Sequence, residues 1–134
     1  MSVFKKGTLL IPTGPVKHLH IVMNDPVFFP ELGYVAVLVV NISSIKSGQS
    51  YDESCILQPG LHPFITCDSY VYYKDAAILR VPRILERMQL GEISQHASVS
   101  ESVFTEILAG FDKSKHVKQK IKRFIRKYIL EEPL

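Results

Sequence analysis

Tyr34-Val35-Ala36-Val37-Leu38-Val39-Val40-Asn41-Ile42-Ser43-Ser44 is the stretch that decides the fold of this chain. Its part from Tyr34 to Val40 is the longest apolar run in the sequence. That run falls far short of the ~18 apolar residues a membrane span needs. A short valine-rich run, opened by Gly33 and closed by a serine-rich polar loop, reads as a strand. Because it is apolar throughout rather than at alternate positions, it is expected to be central and covered on both faces.

Working outward, the first hundred residues read as short strands punctuated by Gly and Pro. Strands are expected over residues 4–11, 18–23, 34–42, 54–57, 69–73 and 77–80. Pro12-Thr13-Gly14-Pro15 and Gln58-Pro59-Gly60 supply turn chemistry between them. Several short strands at close spacing suggest a small barrel or sandwich. The hydrophobic period then changes. Pro82 suits the first turn of a short helix through Met88, which Gly91 breaks. Ser98 and Glu101 have capping-box spacing ahead of Val103, Phe104, Ile107 and Leu108, and Gly110 is the expected C-terminal cap. A last helix is expected over 115–130, with Val117, Ile121, Phe124, Ile125, Tyr128 and Ile129 as its apolar stripe.

The chain of 134 residues is expected to be one α+β, mainly β, globular unit: a small β-barrel over 1–81 and a helical extension over 82–134 packed on it. Hydrophobic residues make up 46 %, enough for a real core. The opening Met1-Ser2-Val3-Phe4-Lys5-Lys6 has no signal-peptide apolar region, so a cytoplasmic protein with no membrane contact is expected. The spacing of Cys55 and Cys67 matches no zinc or redox motif, and both are expected as small core residues.

Net charge is a modest +3, but residues 113–127 carry eight Lys or Arg and no acid. A polyanion would be felt there first. Lys118, Lys122, Arg123 and Arg126 are candidates for contact with phosphate or with an acidic protein; the plain alternative is a solvated helix face.

Lys17-His18-Leu19-His20 is the second informative stretch. In a strand, His18 and His20 leave the same face. A histidine with a pKa of ~6.5 can exchange a proton near neutrality. The pair therefore suits acid–base chemistry, metal binding or phosphate contact, or is only a polar outer face.

Gly7-Thr8-Leu9-Leu10, His18 to Asn24, and Val37 to Ser44 together resemble the bacterial MazF/PemK-type toxins. The resemblance covers roughly residues 5–80. It implies a small barrel of Src-homology-3 type with helices packed on it, usually a homodimer. It also implies the toxin component of a type II toxin–antitoxin system, an endoribonuclease neutralised by a cognate antitoxin protein. The chain departs from the pattern in places. The family's catalytic Arg falls near Lys17 or His18 and its Arg-Pro pair is absent. The family's Thr or Ser falls at Ser43 or Ser44. Residues 62–73 lie outside the pattern.

Metal-independent cleavage of single-stranded RNA needs a base for the 2′-OH, an acid for the leaving oxygen and positive charge for the phosphorane. His18 and His20 are the expected base and acid, Lys17 the cation, and Ser43 or Ser44 the donor to a non-bridging oxygen. Lys17, Lys46, Tyr72, Tyr73 and Lys74 are expected to contact RNA, because aromatics beside cations suit base stacking. Tyr70 reads as packing at the core edge. A three-imidazole set of His18, His20 and His62 lacks ligand spacing and a carboxylate companion, so no metal or cofactor is expected. The alternative function is a non-catalytic nucleic-acid- or protein-binding module on the same fold, and a third is a structural protein with no nucleic-acid role.

Overall fold

A computed structural model of the chain describes residues 2–130. Among these residues seven strands form one antiparallel, curled sheet: β1 (Thr8–Thr13), β2 (Val16–Val22), β3 (Val27–Phe29), β4 (Tyr34–Ser44), β5 (Ile56–Leu57), β6 (Ser69–Arg80) and β7 (Ser94–His96). Their order across the sheet is β5-β6-β4-β2-β1-β7, with β3 on the far end of β4. The helices are α1 (Val81–Gln89), α2 (Glu101–Lys113) and α3 (Gln119–Phe124). No helix among the described residues is long and apolar enough to cross a membrane.

The valine-rich stretch is the central strand, as its continuous apolarity requires. Every residue of β4 from Ala36 to Ile42 is buried. Ala36, Leu38, Val40 and Ile42 point into a core shared with α2 and α3, where Phe104, Ile107, Ile121 and Phe124 meet them. Val37 and Val39 point into a second core closed by Val81, Ile84 and Met88 of α1. The helices thus share both cores with the strands.

Several boundaries differ from expectation, each for a local reason. The chain turns at residues 4–7, where Gly7 N–H bonds the Phe4 carbonyl and Lys6 takes a positive φ of 72°. β1 therefore starts later and runs through Pro12 and Thr13. The β1–β2 turn shrinks to Gly14-Pro15, with Thr13 paired to Val16. Gly14 at φ 68° provides the left-handed first position such tight hairpins need. The two strands expected over 69–73 and 77–80 are one strand. Between them Tyr73, Lys74, Asp75 and Ala76 bulge opposite the single residue Val40, since Asn41 pairs Tyr72 and Val39 pairs Ala77. Polar Lys74 and Asp75 on the bulge made one strand look like two.

Ser100, not Ser98, caps α2: its Oγ accepts from Val103 N–H at 3.2 Å. The backbone at Val99 is engaged elsewhere, donating to the Lys6 carbonyl. Glu101 then sits at the first helical position and pairs with Lys6 Nζ at 2.6 Å. Gly110 is inside α2 rather than at its end, which Ser114 caps. The last helix begins at Gln119, because Lys118 is extended, and opens at Ile125–Ile129 into a π-turn closed by Leu130 N–H on the Ile125 carbonyl at 2.8 Å. Phe124, just before that opening, and Tyr128, within it, pack on Phe29 of β3 with ring centroids 5.3 and 5.9 Å away. Both cysteines are free; Cys55 is buried as expected, but Cys67 is exposed in the loop before β6, which corrects its placement in the core.

Candidate functional site

The β2–β4 ladder runs from Val22↔Val39 to Leu19↔Ile42 and stops there. β4 continues, paired with β6 through Ser43↔Tyr70 and Ser44↔Ser69. β2 continues the other way, paired with β1 down to the Gly14-Pro15 turn. The two strands part beyond Leu19 and Ile42, and a groove of about 400 Å³ opens between them.

Lys17 and His18 form one lip and Ser43 and Ser44 the other; Lys46, Gln49, Ser69, Tyr70 and Phe64 complete the walls. None of the described lining residues is a carboxylate. The two ion pairs among the described residues, Lys6–Glu101 and Arg87–Glu92, involve neither Lys17 nor Lys46. The groove is therefore lined by uncompensated cations and hydroxyl donors, the chemistry that receives a phosphate oxygen. Five of the residues expected from sequence, Lys17, His18, Ser43, Ser44 and Lys46, are brought together here.

His18 Nδ1 is held by the Thr13 hydroxyl across the hairpin, while its Nε2 makes no hydrogen bond among the described residues. His20 shares its face, as alternation demands, but does not line the groove and is only 7 % exposed. Its Nδ1 lies 2.9 Å from the His18 carbonyl oxygen, which only accepts, so this nitrogen carries the proton. Burial holds the His20 pKa below 6.5; the bond to His18 and the carboxylate of Asp75 oppose that shift without cancelling it. The expected base–acid pair is thus divided: His18 is at the groove, and His20 is a covered residue of the sheet.

Other expected contacts are also redistributed. Tyr73 is corrected from an RNA-contacting aromatic to a core residue. It is 1 % exposed, and its hydroxyl donates to the Ile107 carbonyl at 2.7 Å. Lys74 is exposed on the β6 bulge and Tyr72 is half-buried; neither lines the groove. Tyr70, read as packing, does line it. The three-imidazole set is not assembled. His62 is buried, its Nε2 donating to the Ala97 carbonyl at 2.6 Å and its Nδ1 accepting from Phe64 N–H at 3.1 Å. Among the described residues no group of three His, Cys, Asp or Glu is placed to hold a metal ion.

The cations of the last helix sit apart from this groove. Lys122 and Arg126 line a separate cleft of about 740 Å³ between α2 and α3, with Leu108, Phe111 and Ile125. Lys118 and Arg123 are exposed and line neither.

Gln49, Phe64 and Ser69 were missed by sequence reasoning. They reach the groove from two loops and a strand end, and no local pattern ties them to β2. Comparison of the chain with protein-family models finds no match, and comparison with curated proteins finds none. Neither comparison carries the resemblance to MazF/PemK-type toxins expected from the strand residues quoted above.

Proposed function

We propose that the protein is a single-stranded RNA-binding module of small-barrel type, with the groove between β2 and β4 as its phosphate site. One observation carries this reading: Lys17, His18, Ser43, Ser44 and Lys46 line one groove whose described walls hold no carboxylate. Phosphate neutralised by lysine releases counterions, so affinity should fall steeply with salt, with a log–log slope near −0.7 per phosphate contacted. Fluorescence anisotropy with a labelled single-stranded oligoribonucleotide tests this. Lys17→Ala together with Lys46→Ala should weaken binding and flatten the slope. Unchanged affinity and slope in that variant would sink the assignment.

A second reading is the toxin endoribonuclease of a MazF/PemK-like pair. His18 favours it, because its Nε2 has no hydrogen-bond partner among the described residues and lies at the groove beside Ser43 and Ser44. With His20 covered, the acid for the leaving oxygen would come from Lys17 or the Tyr70 phenol. The cleft bearing Lys122 and Arg126 would then receive an acidic segment of the antitoxin, and the protein would act as a homodimer. Incubation with mixed RNA in EDTA separates the readings: cleavage lost in His18→Ala supports the enzyme, and binding without cleavage supports the module.

A further inference from the structure

The alternation of strands places two rows of side chains on the face of the sheet that carries His18. One row runs Ile56, Tyr70, Ser43 across β5, β6 and β4, and continuing the β4–β2 register by one residue brings His18 next. The second row runs Tyr72, Asn41, His20, Leu9 across β6, β4, β2 and β1. Helix α1 shares a core on this face with Leu9, Ile11, Val22, Val37 and Val39. Of the two rows, Tyr70, Tyr72 and Ile56 keep surface open to solvent, while Asn41 and His20 are buried.

Three tyrosines are in ring contact there. Tyr70 lies 5.4 Å from Tyr51 and 5.9 Å from Tyr72, centroid to centroid. All three are half-buried, so each keeps ring surface open to solvent. Ile56, in register with Tyr70, is 40 % exposed. Beside Tyr72, Asn41 is 3 % exposed and its Oδ1 is buried with no hydrogen-bond partner. Tyr70 belongs to both regions: it walls the phosphate groove and touches Tyr72.

We infer that this face is a base-stacking platform for the same RNA strand whose phosphates enter the groove, with Tyr70 and Tyr72 carrying successive bases. The inference rests on the RNA-binding reading above and adds the nucleobase to what is recognised. The two rows stand two residues apart along each strand, about 6.8 Å. Sheet faces that stack two or three bases on strand aromatics are a general solution for single-stranded RNA. The lack of acids in the groove and the open rings beside it fit a ligand that is anionic along one edge and aromatic along the other.

The experiment uses the full chain and two probes, a mixed-sequence oligoribonucleotide of seven nucleotides and an abasic ribose-phosphate strand of equal length. Because the chain has no Trp, its tyrosine emission reports ring contact directly. The base-bearing strand is expected to bind at least tenfold more tightly than the abasic one and to quench tyrosine emission. Tyr72→Ala should lose about tenfold for the base-bearing strand and nothing for the abasic one, while Tyr72→Phe keeps the affinity. The half-buried site of Tyr72 favours folding of these variants, and an unchanged Tm checks it. Equal affinity for both strands in the unsubstituted protein overturns the platform while leaving the phosphate groove standing. If neither strand binds, the RNA-binding reading itself fails.

Discussion

The Tyr73 hydroxyl occupies the space that a Cβ at Gly110 would fill. From there it donates to the Ile107 carbonyl, one turn back along α2. The glycine inside the helix is thus explained by a residue on β6, and it costs the helix about 1 kcal/mol of propensity relative to alanine. Burial, and then the neighbouring Cys55 thiol, push the Tyr73 pKa far above its usual value, so it stays a neutral donor. Gly110→Ala should therefore destabilise rather than stabilise, by about 1–3 kcal/mol of overpacking. A Tm measured by circular dichroism should fall accordingly. On a Tyr73→Phe background the same substitution should cost less; equal cost in both backgrounds would show that the two residues do not interact.

Asp52 ties the β4–β5 loop to the end of α2. Its carboxylate accepts from Ser114 Oγ at 2.6 Å and from Ser54 Oγ at 2.6 Å. Burial acts to raise its pKa, but these hydrogen bonds prevail and hold it below 3.8. A depressed folded pKa means stability present above the unfolded value and lost as pH falls through the folded one. Urea midpoints should drop below pH 4 in the unsubstituted protein and less steeply in Asp52→Asn. Parallel curves would remove Asp52 from the acid response.

His20 gives a window of the same sign, nearer neutrality. Its folded pKa is below 6.5, mainly through burial, so the unfolded chain binds the proton first. The stability it contributes is whole above pH 6.5 and declines as pH falls from there toward the folded pKa. His20→Asn should remove that decline. Imidazole 15N shifts should show Nδ1–H as the neutral tautomer, and an Nε2–H tautomer would contradict the bond to His18.

The ring contact between Phe29 and Phe124 anchors the C-terminal turn to the sheet. Phe124 is 1 % exposed. Phe124→Ala should cost about 3–5 kcal/mol. Tyr128, half-buried at the same junction, should cost less when truncated to Ala. Denaturant titration compares the two; equal losses would mean that the Tyr128 ring contributes to the core as much as the Phe124 ring does.

What the sequence disclosed followed from periodicity. The unbroken apolar run of Val37 to Val40 announced a central strand, and the spacing of Ile121, Phe124 and Ile125 announced a buried helix face. Lys17, His18, Ser43 and Ser44 could be gathered because two neighbouring strands bring them to one lip each. The fate of His20 and Tyr73 was hidden, since period two assigns a face but not what covers it. The β6 bulge was hidden too, because Lys74 and Asp75 look like a loop. Gly110 read as a cap, for nothing local reveals that a tyrosine 37 positions earlier needs its empty side.

Between Leu19 and Ile42 the sheet gives up its last rungs, and the groove is the space they leave. A ligand that grips both lips would serve as a removable rung. It would fasten two strands whose inner residues, Leu19 and Ile42, are part of the main core. Occupancy and rigidity then become one equilibrium, with a ligand at a hundred times its Kd adding about 2.7 kcal/mol to unfolding. The amides of Leu19 and Ile42 would exchange with deuterium more slowly as RNA is added, and their protection factors would read the binding curve from inside the protein.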